Sequence, residues 1–184
     1  YDGISDTFRL RDNYGNLTTL EILKINDLKH AKQYILQCPE LIPGEEYTIA
    51  DEHYLTAPIQ FRYIVRTKEF DDKFRYDGDD LGAVINGDKT TFKVWAPTAS
   101  KVVLNLFESG HEGKAYKQVE MAKGDKGVWS YTETCGHGTY YTYSVTTSVG
   151  TQEAVDPYAK AAGVNGNRGM VVDLDLTNPT GWSD

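Results

Sequence analysis

The stretch that most limits what this chain can fold into is residues 90–107, TTFKVWAPTASKVVLNLF. Thr91-Phe92-Lys93-Val94-Trp95 alternates, so Phe92 and Val94 share one face of a strand and Trp95 takes the other. Pro97 closes that strand, because proline has no N–H for a ladder. Val102, Leu104 and Leu106 then line one face of a second strand, with Val103 and Phe107 opposite. Two short alternating strands joined by a proline turn read as a β-hairpin in a sandwich.

The rest of the chain repeats that pattern. Phe8 and Leu10 alternate with charged neighbours in TFRLR, and Asp12-Asn13-Tyr14-Gly15-Asn16 is a turn that tolerates positive φ. A strand returns over 17–25. Residues 26–36 fit either a helix capped by Asn26 or Asp27 or a strand through Gln33-Tyr34-Ile35-Leu36. Cys38-Pro39 ends a helix too soon, which favours strand. Ile42-Pro43-Gly44-Glu45 is a turn, 47–49 a strand, and 59–66 (IQFRYIVR) a longer strand with Ile59, Phe61, Tyr63 and Val65 on one face. Residues 67–82 are dense in Asp, Lys and Gly with little periodicity and mark a boundary. Further strands are expected at 116–121, 128–132, 139–146 and 170–174. Short strands between regular turn signals indicate sandwiches. The expected fold is all-β, two small immunoglobulin-like β-sandwich domains in tandem. The first spans 1–68, a linker 69–78, the second 79–176, and a tail 177–184.

Composition excludes several functions. Net charge is −8 with scattered basic residues, so there is no stripe for a phosphate backbone and no nucleic-acid partner is expected. No apolar run approaches a membrane span. Cys38 and Cys135 fall in different expected domains, which fits free thiols and a reducing, cytoplasmic compartment. The chain begins at Tyr1 rather than Met, so the lack of a leader carries no weight. The carboxylate pairs Asp71-Asp72, Asp79-Asp80 and Glu45-Glu46 lie on polar turns, where sequence neighbours point apart and keep ordinary acidity. His30, His53, His111 and His137 have no ligand spacing, and Asp77-Gly78-Asp79-Asp80 lacks the alternation and closing Glu of a calcium loop. No catalytic residue, metal or cofactor is expected. Trp95, Trp129, Tyr131, Tyr140 and Tyr158 could stack on sugar rings or fill a core or interface, the second reading being favoured.

Several motifs carry a family resemblance. F-K-V-W-A-P-T-A-S-K-V, Gly138-Thr139-Tyr140-Tyr141-Thr142-Tyr143-Ser144-Val145, and Glu153-Ala154-Val155-Asp156-Pro157-Tyr158-Ala159-Lys160-Ala161 with Val164-Asn165-Gly166 stand in order. They resemble the family 48 carbohydrate-binding module in the starch-debranching branch of glycoside hydrolase family 13. With Phe70-Asp71-Asp72 and Tyr76-Asp77-Gly78-Asp79-Asp80-Leu81-Gly82, the chain resembles the type I pullulanases from about Val65 to Trp182. That resemblance implies non-catalytic N-terminal domains of an α-1,6-glucosidic debranching enzyme, whose β/α barrel alone needs roughly 250 residues. It implies the parent's own catalytic barrel as partner and weak contact with α-glucan. Glycogen-binding members use two tryptophans and a lysine on one face. Those positions fall in loop 108–114, near Thr142, and near Thr151 or Gln152, and none is filled in kind. The Asp156-Pro157-Tyr158 turn matches one where the module meets the barrel. Trp95, Pro97, Asp156, Pro157, Tyr158 and Asn165 are therefore the expected domain-interface residues. The alternatives are a free-standing α-glucan-binding module, marked by exposed aromatics in a shallow groove, and a generic interaction module, marked by an apolar patch away from any sugar.

Overall fold

The computed structural model describes residues 4–179 and 181. Residues 1–3, Thr180 and 182–184 lie outside the described residues, and with them Trp182 and most of the end of the expected tail. The all-β expectation is met.

In the first half, β1 (Phe8–Arg11), β2 (Leu17–Leu28), β3 (Ala31–Gln37), β4 (Thr48–Asp51) and β5 (Thr56–Pro58) form one antiparallel sheet ordered β3-β2-β1-β4-β5. Asp12 builds the β1–β2 turn, accepting from the Tyr14 and Asn16 amides at 2.9 and 2.8 Å. Residues 31–37 are strand, as favoured over helix. Beyond Leu20, β2 pairs among the described residues only with β3 and carries a bulge between Ile22 and Lys24, so the pair runs on as a ribbon. Leu10, Leu20 and Tyr47 make the core, covered by Leu41, Ile59 and Phe61 from connecting segments rather than by a second sheet.

Two local expectations are corrected. Residues 59–66 are not a strand. Ile59 donates to the Tyr47 carbonyl at 2.9 Å, after which the chain turns into a 3₁₀ segment, Ile64–Arg66. Alternation was present there, but β4 ends and leaves no ladder to join. The expected unstructured boundary holds a helix, α1 (Lys68–Phe74), whose Thr67 cap accepts from the Phe70 amide at 3.2 Å. Phe70 and Phe74, one turn apart, are its two buried residues.

The second half is a two-layer sandwich. One sheet is β10-β11-β7-β6, from β6 (Gly82–Asn86), β7 (Lys89–Trp95), β10 (Ala122–Lys123) and β11 (Val128–Glu133). The other is β14-β15-β12-β8-β9, from β8 (Lys101–Phe107), β9 (Lys117–Glu120), β12 (Tyr140–Thr147), β14 (Ala161–Ala162) and β15 (Gly169–Met170), with β13 (Gly150–Ala154) also on β12. The row Val102, Leu104 and Leu106 is fully buried and meets Phe92, Val94, Trp129, Tyr141 and Tyr143 in one core. Phe92 and Tyr141 join the layers edge-on, with centroids 5.0 Å apart. The expected strand over 170–174 shrinks to Gly169–Met170, and Leu174–Thr177 is a 3₁₀ turn.

The halves meet where turn 42–46 presses on residues 97–100. The Ser100 hydroxyl donates to Glu46 at 3.1 Å. A Cβ on Gly44, at φ +88°, would stand 2.7 Å from the Ala99 carbonyl and 2.8 Å from that of Pro97.

Candidate functional site

The alternation of β7 places Trp95 away from the buried Phe92 and Val94. Its indole N–H is shared between the Phe74 carbonyl, at 2.9 Å, and the Lys126 carbonyl, at 3.0 Å. Trp95 therefore ties α1 to the sandwich. Trp129 lies on the inner face and donates to the Ala96 carbonyl at 3.0 Å, filling the core.

The Asp156-Pro157-Tyr158 turn is anchored from below. The Asp156 carboxylate is 3% exposed and accepts from the Tyr141 hydroxyl at 2.8 Å, the Tyr143 hydroxyl at 3.4 Å and the Tyr158 amide at 2.9 Å. Loss of water raises its pKa above the ordinary carboxylate range, and the three donors only partly oppose that. Burial also raises the Tyr141 and Tyr143 phenols, so both remain hydrogen-bond donors. Pro157 and Tyr158 are left at the surface, Tyr158 40% exposed. The turn lies on the start of β6: Gly82, at φ +98°, would bring a Cβ within 2.8 Å of the Tyr158 carbonyl.

Trp95 and Tyr158 converge on one cleft of about 370 Å³, lined also by Asp71, Arg75, Tyr76 and Leu81. The Tyr76 hydroxyl donates to Asp80, whose other oxygen takes the Lys93 ammonium. Lys93, then Tyr76, hold the Asp80 carboxyl below its usual range. Arg75 spends its Nε on Asp77 at 2.7 Å. Sequence reasoning gives Asp71, Tyr76 and Leu81 as parts of the resembling motifs but not as site residues, and does not single out Arg75. The signal was the Phe70/Phe74 spacing, which makes a helix and sets the residues after it against β7.

The other expected interface residues lie apart from this cleft. Pro97 is buried, under Gly127 and the Gly44 turn, in the joint between the halves. Asn165 is exposed in a separate turn at φ +57°. Asp156 is buried too, so it supports a surface without belonging to one.

The positions expected from the resemblance to face a glucan are taken up in contacts within the protein. Thr142 is 2% exposed, donating to Glu153 at 2.6 Å and accepting from Asn105 at 3.1 Å. The Thr151 hydroxyl pairs with Thr146 at 2.8 Å. Loop 108–114 is fastened by Arg168, which lies 3.6 Å over the Phe107 ring and donates to the Ser109, Glu112 and Gly113 carbonyls at 2.5, 2.7 and 2.8 Å.

Residues 80–159 match the family Carbohydrate-binding module 48 (Isoamylase N-terminal domain), and residues 1–66 match the Pullulanase N1-terminal domain. Together the two matches support an N-terminal pullulanase region. It is 41% identical over 118 residues to the pullulanase of Bacillus subtilis (strain 168), covering 64% of this chain and 16% of that protein. Pullulanase 1, chloroplastic, of Arabidopsis thaliana is 32% identical over 123 residues, or 62% of this chain and 12% of that one. The crystal structure of the Anoxybacillus sp. LM18-11 pullulanase superposes with a TM-score of 0.85 at 38% identity, covering 94% of this chain and 25% of that one. The chain thus spans a quarter or less of the pullulanases it matches. These matches favour non-catalytic pullulanase domains over a free-standing glucan-binding module or a generic interaction module, and they point to a glycoside hydrolase parent.

Proposed function

We propose that this pullulanase region orders the catalytic barrel of its parent, an enzyme that cleaves α-1,6-glucosidic bonds in pullulan, starch or glycogen. The docking face is the exposed Pro157-Tyr158 turn with Asn165, and Trp95 acts behind it by fixing α1 to the sandwich. The observation that carries this reading is the rigid presentation of Tyr158. Tyr158 is 40% exposed on a turn whose first residue, Asp156, is locked in the core by a 2.8 Å bond to Tyr141 and accepts from the Tyr158 amide at 2.9 Å. A contact residue already held in place costs little to order on docking. Weak α-glucan contact accompanies this role. Pullulanases have been crystallised with maltotriose, from Anoxybacillus sp. LM18-11, and with maltose, from Bacillus subtilis str. 168, which supports glucan as a ligand of the family's enzymes.

The test places Tyr158→Ala and Asn165→Ala, separately, in the full-length enzyme and follows the thermal transition of the catalytic barrel without sugar. Docking predicts a lower transition, by about 2–4 °C per kcal/mol lost, while the 184-residue chain alone melts where it did before. An unchanged barrel, or unfolding of the isolated chain, removes these residues from the docking face.

A further inference from the structure

We infer that the cleft between α1 and β7 is a subsite for one glucosyl residue of an α-glucan, separate from the sheet face formed by β8, β12 and β13. Its volume, about 370 Å³, falls in the range of small-molecule sites, roughly 300–1,000 Å³. Three aromatic residues line it, Tyr76, Trp95 and Tyr158. The polar ends of two are already committed to the protein: Trp95 Nε1 to the Phe74 and Lys126 carbonyls, the Tyr76 hydroxyl to Asp80. Those rings are held before any ligand arrives, so little side-chain entropy is lost on binding. A ring fixed by its edge and left at a cleft wall offers an apolar surface suited to the C–H face of a pyranose.

The charged residues narrow the ligand class. Asp71 offers an acceptor, and Arg75 keeps its terminal amino groups as donors, because Asp77 takes only its Nε. One carboxylate and one guanidinium give the cleft no net sign. An anion would face Asp71 and a cation would face Arg75, whereas a neutral polyol satisfies both. The subsite gives a place to the α-glucan contact of the proposed function and rests on that part of it; Tyr158 also borders the proposed docking face, which is tested separately in the full-length enzyme.

The experiment titrates the 184-residue protein with maltotriose by calorimetry and by amide chemical-shift mapping. The expected result is saturable binding near or above about 1 mM, with shifts centred on residues 71–81, 95 and 158. Tyr158→Ala and Asp71→Ala should each weaken it about tenfold, near 1.4 kcal/mol. Thr151→Ala, on the sheet face, should leave it unchanged. Lack of saturation at tens of millimolar overturns the inference. So does saturable binding that Thr151→Ala abolishes while Tyr158→Ala spares it. Because no barrel is present, neither failure bears on the docking of Tyr158.

Discussion

At the residue scale, Asp156 is the most informative single side chain. It is an acid buried beneath two phenols, in a protein whose other carboxylates are mostly at the surface. Its pKa is raised in the folded state, so folding holds its proton more tightly than the unfolded chain does. The group then stabilises most below the ordinary carboxylate range, and that contribution declines as pH rises through the window up to its raised value. Asp80 and Glu133 run the other way. Lys93 and Lys117 respectively depress them, and their contribution is lost as pH falls. Asp156→Ala should strand the Tyr141 and Tyr143 hydroxyls and cost about 1–3 kcal/mol. Urea titrations at several pH values should show the gap between wild type and variant narrowing as pH rises above about 4. A gap that widens would mean that the carboxylate is stabilised, not burdened, by its surroundings.

At the element scale, α1 shows what was legible in the sequence and what was not. The sandwich was readable because burial there follows a period of two. Phe92 and Val94 point in, Trp95 points out, and the Val102-Leu104-Leu106 row is wholly inside. The helix is hard to read because its seven residues hold five charges, and charge density reads as loop. Its real signature is sparse: Thr67 as cap and two phenylalanines four apart. Residues 59–66 failed in the opposite sense, since alternation describes a strand only where a neighbouring strand offers a ladder. For the site, Trp95 and Tyr158 were named from motif order. That they share a cleft with Arg75 and Tyr76 depends on α1, and could not be read without it. The cap gives a direct test. Thr67→Ala removes the acceptor for the Phe70 amide and should cost about 1 kcal/mol in urea stability, with Thr67→Ser recovering most of it. Equal stability of all three proteins would show that tertiary contacts alone hold the helix.

At the scale of the whole molecule, the two halves share a joint with almost no slack. Gly44, at φ +88°, sits where a Cβ would also meet the Lys123 ammonium at 2.6 Å, besides the two carbonyls of residues 97 and 99. Gly87 is the natural control, at φ +64° with open space around it. Any side chain at either position bears the left-handed penalty of about 1–2 kcal/mol, but only Gly44→Ala also forces the halves apart. Gly44→Ala should therefore lower the urea midpoint more than Gly87→Ala and split unfolding into two phases. Equal losses would mean that the joint yields freely. A second contact near this joint has an optical consequence through Trp95. Its indole N–H is clasped by carbonyls on both sides of the boundary, Phe74 from the linking helix and Lys126 from the sandwich. Any motion that swings the helix away must first break the bond from that N–H to the Phe74 carbonyl, so the fluorescence of this tryptophan reports whether the linking helix is seated.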